Sequence, residues 1–405
     1  MSGAPAAITG LGAVSPYGWG IDALWRGLAS GETAIRPITR FDSTRHRTRL
    51  AAEVPDAGAP PFARRERLSR ADRYARAAAA EALAAAGLPA RLDDRAVGLF
   101  FGSSTGGTLE SEQFFDRLTA ACGRRAAISL LASQQPNGPA DAVARAHGVS
   151  GPIATISSAC ASATLALGQA LDALRAGEID LALVGGADAL CQLTFAGFNS
   201  LRAVDARPCR PFRAEREGMS IGEGAAVLVV ESLAHAAARG ARPIALVAGT
   251  GASCDAHHMT APEPGGSGVA RAVVSALADS GLPAAAVDFI NAHGTGTPLN
   301  DAAEWQAIAR VFGARAGRIP VTSTKGAVGH YLGAAGAIEA LVTVLCLAHG
   351  EVHPTPGEGT LDPRAAVDLV VGGPRPLPGA RVALSTNFAF GGSNAAAIFR
   401  LPEVA

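Results

Sequence analysis

The sequence predicts an α/β protein built from two related halves. Its 405 residues are more than one hydrophobic core usually serves. Short β-branched segments alternate with alanine-rich segments whose apolar residues have helical spacing, as in α/β folds with mainly buried sheets. The closing segments of the two halves also match, since G-E-G-A-A-V-L-V-V at 222–230 is similar to G-S-N-A-A-A-I-F-R at 392–400. We therefore expect one half over 1–242 and a second over 243–405.

Each half contains five segments with the composition of strands. They are 6–13, 96–101, 154–156, 180–186 and 225–231 in the first half, and 243–249, 287–291, 319–323, 382–386 and 395–400 in the second. Between them we expect a long helix over 63–86 and a mainly loop segment over 187–223. Binding sites in α/β folds gather at the carboxyl ends of strands. Because Cys160, His293, Lys325 and the 387–392 loop all follow strands, we expect them to converge.

Composition limits the class of function. The formal net charge is zero, with 48% hydrophobic and 17% charged residues, which argues against a nucleic-acid or membrane-surface protein. The most apolar late segment, 336–349, contains Glu339 and is too short to span a bilayer. The six cysteines are scattered without a C-x-x-C pair, and no secretory signal pattern opens the chain. These features predict a cytoplasmic protein with reduced cysteines.

The segment 36–76 is dense in arginine, and its arginines continue into the first half of the expected helix at 63–86. A solvated basic helix face is one interpretation. The other is a docking surface for an acidic protein partner, which opposite charges would attract and orient.

The segment T-I-S-S-A-C-A-S at 155–162 reads as a strand, a tight turn and the start of a helix, with Cys160 at or near the helix N-terminus. Unpaired backbone N–H groups and the helix dipole at that end favour the thiolate, which is the nucleophilic form. The alternative is a small buried hydrophobic residue, as most free cysteines are.

Three motifs in the second half add polar chemistry to this thiol. They are N-A-H-G-T-G-T-P-L-N-D at 291–301, S-T-K-G-A-V-G-H-Y-L-G-A-A-G at 323–336 and N-F-A-F-G-G-S-N at 387–394. The first places His293 after a strand, and the second places Lys325 and His330 five residues apart. Glu339 lies on the apolar helix that follows, where a buried carboxylate needs a partner such as Lys325. One thiol and two distant histidines lack the paired spacing of a zinc site.

Together these motifs resemble those of the β-ketoacyl-acyl-carrier-protein synthases of the elongating class, over nearly the whole chain. The matching segments are S-A-C-A-S, H-G-T-G-T-P, K-x-x-x-G-H-x-x-G-A-A-G, F-A-F-G-G-S-N and the stretch R-P-F-x-x-x-R-E-G-M-x-x-G-E-G-A at 210–225. The resemblance implies a thiolase-like fold, in which two fused, pseudo-duplicated βαβ halves form a five-layered αβαβα arrangement. It also implies a dimer.

The resemblance further implies a set of site residues. The catalytic residues are Cys160, His293, His330 and Lys325, with Glu339 and Asp301 supporting them. The substrate-binding residues are Thr295 and Thr297 for the pantetheine arm, with Phe198 and Phe390 at the acyl pocket, where Phe390 acts as a gate and its N–H forms the oxyanion hole with that of Cys160. The carrier-protein docking residues are Arg64, Arg65, Arg67 and Arg202. No metal or organic cofactor is expected.

The implied reaction is a decarboxylating Claisen condensation of an acyl group on Cys160 with malonyl-acyl carrier protein. The partners are then an acyl carrier protein and either a second copy of this chain or a chain-length-factor-like subunit. Ala389 and the S-S-A-C-A-S sequence depart from the pattern of primary fatty acid synthesis and favour a type II polyketide or aryl-polyene pathway.

Two rival functions share the fold. A chain-length factor is a structural partner that lacks the nucleophile, whereas Cys160 is present here. A degradative acyl-CoA thiolase needs a second reactive cysteine in the C-terminal half, and Cys346 instead lies within an apolar helical segment. The initiating synthases use Cys-His-Asn, which the second histidine, His330, argues against.

Overall fold

The computed structural model describes residues 3–62, 66–93, 96–120 and 127–403. In these ranges the strands are β1 (Ala6–Ser15), β2 (Gly18–Trp19), β3 (Arg36–Pro37), β4 (Leu50–Ala52), β5 (Val97–Gly102), β6 (Ile153–Ile156), β7 (Leu181–Asp188), β8 (Ile221–Gly222), β9 (Gly224–Ser232), β10 (Ala245–Cys254), β11 (Phe289–Asn291), β12 (Pro320–Thr322), β13 (Glu351–Val352), β14 (Asp368–Leu369), β15 (Arg375–Pro376), β16 (Val382–Phe388) and β17 (Ser393–Arg400). The ten strands expected from the sequence are all present, with shifts of a few residues at their ends.

The same ranges contain eleven α-helices and four short 3₁₀ helices. The α-helices are α1 (Ile21–Ser30), α2 (Arg70–Ala85), α3 (Thr108–Ala120), α4 (Gly138–His147), α5 (Ser162–Arg175), α6 (Gln192–Ser200), α7 (Leu233–Ala238), α8 (Ser267–Ser280), α9 (Pro298–Phe312), α10 (Lys325–Val328) and α11 (Ala335–His349). The 3₁₀ helices are Ile128–Leu131, Ala284–Ala286, Gly313–Arg318 and Leu332–Ala334.

The two halves of the chain repeat one strand order. Across the sheet the first half runs β6-β5-β7-β9-β1, and the second runs β12-β11-β16-β17-β10. In each half the first three of these strands are parallel and the last two are antiparallel to their neighbours. Antiparallel pairing of β1 with β10 joins the two sets into one sheet. The expected pseudo-duplication is therefore confirmed.

Two helices form the central layer. Helices α5 and α11 share one apolar cluster with strands of both halves, which includes Leu171, Leu341 and Phe399. Helices α2 and α4 cover the other face of the first half, and α8 and α9 cover that of the second. This gives the five αβαβα layers. Within the described ranges one segment, Leu332–His349, is long and apolar enough to cross a membrane, and it is the core of this central layer, with 89% of it buried.

Two segments differ from the sequence expectation. Helix α2 begins at Arg70 and not at 63, because Ser69 and Asp72 form a reciprocal capping box that fixes its first turn. The segment 187–223 is mainly loop, as expected, but it also contains helix α6 and strand β8, which the sequence did not indicate. On α6 only Phe195 and Asn199 are buried, so too few apolar positions repeat for helical periodicity to be visible in the sequence.

The capping box of α2 provides a test of the local folding argument. Ser69 Oγ accepts the Asp72 N–H at 3.1 Å, so Ser69→Ala leaves an N–H at the helix end without its partner. We expect a loss of about 1 kcal/mol in the free energy of unfolding, read from the urea midpoint. Ser200→Ala is the control, because the exposed Ser200 hydroxyl only bonds to the Ala196 carbonyl. Equal effects of the two substitutions would contradict the capping role.

Candidate active site

Cys160 lies in the sharp turn between β6 and α5. Ala159 adopts a left-handed φ of 44°, a conformation that costs free energy for a residue with a Cβ. The hydroxyl of Ser162 holds this turn, since its Oγ accepts the Ser158 N–H at 2.8 Å and donates to the Ala159 carbonyl at 2.5 Å. Helix α5 begins at Ser162, so the thiol stands just before the helix N-terminus. The strand-turn-helix prediction is confirmed.

His330 faces the thiol from the turn after α10. Its Nδ1 accepts the Leu332 N–H at 3.1 Å, and its Nε2 lies 2.9 Å from Cys160 Sγ. Burial, with the charge of Lys325, lowers the pKa of the His330 imidazole well below 6.5, so the ring is neutral. Because Nδ1 is the acceptor, the single ring proton is on Nε2 and points at the sulfur.

His293 follows β11 and presents the same nitrogen to the cavity. Lys325 Nζ lies 3.0 Å from His293 Nδ1, and an ammonium can only donate, so Nδ1 accepts and Nε2 carries the proton. Burial and then the Lys325 charge lower the pKa of His293 well below 6.5. The two imidazoles cross nearly at right angles, with centroids 5.5 Å apart. Two neutral N–H donors thus face one small volume.

A buried ion pair holds this arrangement from behind. Lys325 Nζ donates to Glu339 Oε1, and Asn387 Nδ2 donates to Glu339 Oε2 at 2.6 Å. Thr164 Oγ1 in turn donates to Asn387 Oδ1 at 2.6 Å, which links the network to helix α5, directly after Cys160. Burial raises the pKa of Glu339, and Lys325 opposes that shift. The predicted partnership of Lys325 with Glu339 is confirmed.

The resting state of Cys160 differs from the sequence expectation. Burial raises the pKa of the thiol to about 12, with the Lys325 charge acting in the opposite direction. Burial therefore opposes the thiolate that the helix N-terminus was expected to favour, and the raised pKa favours the thiol in the free protein.

The thiol and the two imidazoles form a cluster that could in principle hold a metal. One donor atom from each of Cys160, His293 and His330 lies within 4.8 Å of the others. A metal needs ring lone pairs, whereas both Nε2 atoms carry protons here and the Lys325 ammonium lies against one ring. Such an electropositive cluster of N–H donors is suited to a developing oxyanion.

A cavity of about 370 Å³ opens above these groups. The residues of the predicted site that line it are Cys160, Phe198, Arg202, His293, Thr295, Thr297, His330 and Phe390. The hydroxyls of Thr295 and Thr297 are 2.9 Å apart, and the rings of Phe198 and Phe390 are 5.9 Å apart between centroids. Phe390 remains 38% exposed and Arg202 is exposed, so both belong to the mouth.

The structure does not bring all predicted docking arginines to this mouth. Arg67 lines a separate cleft beside Trp19 and Tyr74. Arg64 and Arg65 lie outside the described residues. Of the four, Arg202 alone lines the described cavity.

One buried carboxylate was missed by the sequence reasoning. Glu304 accepts the backbone N–H groups of His293 and Gly294, both at 2.8 Å, and burial raises its pKa to about 7. The predicted Asp301, one turn earlier on α9, accepts the Phe212 N–H at 2.8 Å and the Gly296 N–H at 3.1 Å. The sequence did contain one indication of Glu304: it lies three positions after Asp301, on the same face of the helix and beside alanines that are buried.

The fold and the cavity indicate a class of protein: a thiolase-like acyltransferase whose cavity holds one cysteine thiol and two imidazole N–H groups. Residues 4–236 match the family model of the β-ketoacyl synthase N-terminal domain, and residues 244–357 match that of the C-terminal domain. The chain belongs to the β-ketoacyl synthase family and is a β-ketoacyl-acyl-carrier-protein synthase by class.

Individual relatives agree over nearly the full length. The 3-oxoacyl-[acyl-carrier-protein] synthase 2 of Synechocystis sp. is 38% identical over 97% of both chains. The solved ishigamide ketosynthase/chain length factor aligns at a TM-score of 0.92 with 35% identity, over 99% of this chain and 100% of that one. The AntDE:AntF complex, a type II polyketide synthase acyl-carrier protein with its ketosynthase, aligns at 0.91 with 29% identity over the same shares.

The raised pKa of Cys160 predicts its alkylation profile. Only the thiolate reacts with iodoacetamide, and below the pKa its fraction rises about tenfold per pH unit. We expect the alkylation rate of the Cys160 peptide, followed by mass spectrometry, to keep rising from pH 7 to pH 9. The peptide of the exposed Cys254 serves as the internal control. An alkylation rate of Cys160 that levels off below pH 8 would contradict the raised pKa and indicate a thiolate in the free protein.

Proposed function

We propose that this chain condenses an acyl group carried on Cys160 with malonyl-acyl carrier protein and releases 3-oxoacyl-acyl carrier protein. The observation that carries this proposal is the pair of Nε2–H donors converging beside the thiol. That arrangement binds an oxyanion next to an acyl-cysteine, which is what a decarboxylating condensation needs.

The first half-reaction is a thiol exchange. Cys160 Sγ attacks the thioester carbonyl of the acyl donor, and the pantetheine sulfur leaves with the proton that the cysteine loses. No net proton is consumed, so a thiol with a raised pKa is compatible with the step. We assign the oxyanion hole of this step to the backbone N–H groups of Cys160 and Phe390.

The second half-reaction releases carbon dioxide from the malonyl thioester. The electron pair of the broken C–C bond moves into an enolate, whose oxygen the Nε2–H groups of His293 and His330 stabilise. The enolate carbon then attacks the acyl-Cys160 carbonyl, and the cysteine sulfur leaves as a thiolate that takes up one proton from water. Because decarboxylation itself supplies the carbanion, neutral histidines suffice as donors and no strong base is required.

The proposed substrate contacts follow the cavity from its mouth to its base. Arg202 at the mouth faces the acidic carrier protein, and we keep Arg64 and Arg65 as further docking residues, whereas Arg67 lines a separate cleft and is left out of this surface. The hydroxyls of Thr295 and Thr297 hold the pantetheine arm, and Phe390 with Phe198 controls access to the acyl pocket. Asp301 supports this wall through the turn that carries the two threonines.

We further propose a dimer, either of two copies or with a chain-length-factor-like subunit. Strand β6 is an outer strand of the sheet, and its Ile153 is 44% exposed, which is consistent with a covered edge in the assembly. We assign the enzyme to the cytoplasm.

We assign the reaction to type II polyketide or polyene elongation rather than primary fatty acid synthesis. Ala389 and the similarity of the chain to solved polyketide ketosynthases support this assignment. We also keep 1–242 and 243–405 as the two domains.

Separate assays of the half-reactions test the assignment. Cys160→Gln should abolish acylation and condensation but still release carbon dioxide from malonyl-acyl carrier protein, since the amide resembles the acylated cysteine. His293→Ala should remain acylated at Cys160 while decarboxylation falls by about two orders of magnitude, the usual effect of losing one oxyanion donor. Radiolabelled acyl transfer and carbon dioxide release measure the two steps. A His293→Ala variant that decarboxylates normally would refute the proposed role.

Charge reversal at the mouth tests carrier docking. Arg202→Glu should raise the KM for carrier-bound acyl groups severalfold at low salt and less at high salt, because exposed charges are screened. Turnover of a small pantetheine thioester should change little. Arg242→Glu, an exposed arginine between the two halves, is the matched control. If Arg202→Glu lowers kcat/KM equally for the carrier-bound substrate and for the small thioester, Arg202 is not a docking residue.

A further inference from the structure

The segment that precedes Lys325 is clamped by a second segment, 353–355, that lies outside the cavity. Three consecutive residues make the contacts: Thr322 Oγ1 donates to the His353 carbonyl at 2.8 Å, the Ser323 N–H donates to Thr355 Oγ1 at 2.8 Å, and Thr324 Oγ1 lies 3.2 Å from His353 Nε2. His353 is completely buried. The site lysine therefore begins a helix whose preceding turn is fixed on this second segment.

The hydrogen bonds of His353 define which of its ring nitrogens carries the proton. Its Nδ1 lies 2.9 Å from the Pro354 carbonyl, which can only accept, so Nδ1 carries the proton. Nε2 is then an acceptor, and burial, which lowers the pKa of His353 to about 4, keeps the ring neutral. The Thr322 hydroxyl already donates to the His353 carbonyl. The Thr324 hydroxyl lies 3.2 Å from both His353 Nε2 and Asn291 Oδ1, and we assign its one proton to Nε2 because the Asn291 amide N–H already donates to the same hydroxyl oxygen.

This bond fixes the residue directly before the catalytic lysine. The Thr324 oxygen also receives the Asn291 amide at 3.1 Å, and that amide lies 3.1 Å from the Glu339 carbonyl. Thr324 is the residue at the N-cap of α10, whose first residue is Lys325. A displacement of this turn would move Lys325 Nζ away from His293 Nδ1, and the lysine is what sets the tautomer of that imidazole.

We propose that His353 is a positioning residue for decarboxylation: through Thr324 it holds Lys325 against His293. The proposal rests on the proposed function of the cavity. It concerns one half-reaction only, because the acylation of Cys160 does not use the His293 N–H. Loss of the His353 acceptor therefore lowers decarboxylation and leaves acyl transfer to Cys160 nearly unchanged.

The experiment compares three substitutions that differ in the atoms they keep. His353→Phe keeps a ring but neither hydrogen bond. His353→Gln places an amide oxygen near the Nε2 position and can still accept from Thr324. His353→Asn keeps a donor near the Nδ1 position for the Pro354 carbonyl but has no atom that reaches Thr324.

Each variant is measured in two backgrounds with acyl- and malonyl-acyl carrier protein. Acylation of Cys160 is followed with the nucleophile intact, and carbon dioxide release is followed in the Cys160→Gln background. We expect His353→Phe and His353→Asn to lower decarboxylation about tenfold or more relative to acylation, the scale of losing an outer-shell orienting contact. His353→Gln should stay within about twofold of the parent.

Thr324→Val and His349→Phe complete the set. Thr324→Val removes the donor of the same bond, so it should reproduce the loss and add nothing to it when combined with His353→Phe. His349, at the end of α11, stacks on Trp25 at 4.2 Å between centroids and is the control expected to change neither step.

The outcomes separate the two claims. Equal behaviour of the Gln and Asn variants, or an unchanged ratio of the two steps in all variants, overturns the role of His353. If the His353→Phe variant unfolds at a lower temperature than the parent, the comparison of His353→Gln with His353→Asn alone tests the role of His353. A parent with Cys160→Gln that releases no carbon dioxide would instead refute the function of the cavity.

Discussion

The structure depends on one buried ion pair, Lys325 with Glu339. Both side chains are about 2% exposed or less, so each has lost its hydration and neither could stay charged without the other. Removing one partner of such a pair costs about 3–5 kcal/mol, because it leaves an uncompensated buried charge. The position of the Lys325 ammonium is fixed, because it donates one hydrogen bond to Glu339 and another to His293. A cation held this firmly can set the tautomer of a neutral imidazole.

The second imidazole obtains the same orientation from the backbone. Leu332 adopts a left-handed φ of 50°, and its N–H reaches His330 Nδ1. Ala159 is strained in the same sense on the other side of the sulfur. Two unfavourable backbone conformations thus lie next to the reacting atoms, and the buried layers around α5 and α11 hold them in place.

The sequence predicted the fold well because buried strands leave a strong apolar signal. The ten strands and the repeat of the two halves could be read from short segments such as 180–186 and 225–231. Helix α2 was extended too far because alanine and arginine favour helix throughout 63–86, while a side-chain cap decides where it begins. The groups that line the candidate site were found by motif, but Glu304 was missed because it matches no motif and its observed role is to accept backbone N–H groups; only its position one turn after Asp301 indicated it. The raised pKa of Cys160 could not be predicted either, since the sequence shows the helix terminus but not the burial that raises the pKa.

The two halves contribute different parts of the site, and their spacing is set by a glycine. Helix α5 of the first half follows the turn that holds Cys160, and helix α11 of the second half carries Glu339. Gly336 lies where they meet: a Cβ at that position would be 2.2 Å from Thr164 Oγ1 and 3.1 Å from Asn387 Oδ1. Those two atoms form the hydrogen bond that joins the nucleophile helix to the ion pair. A side chain at this position would have to separate the helices or break that bond. The glycine therefore shapes the site from outside the cavity, because it allows a thiol from one half and a lysine-held imidazole from the other to face the same cavity.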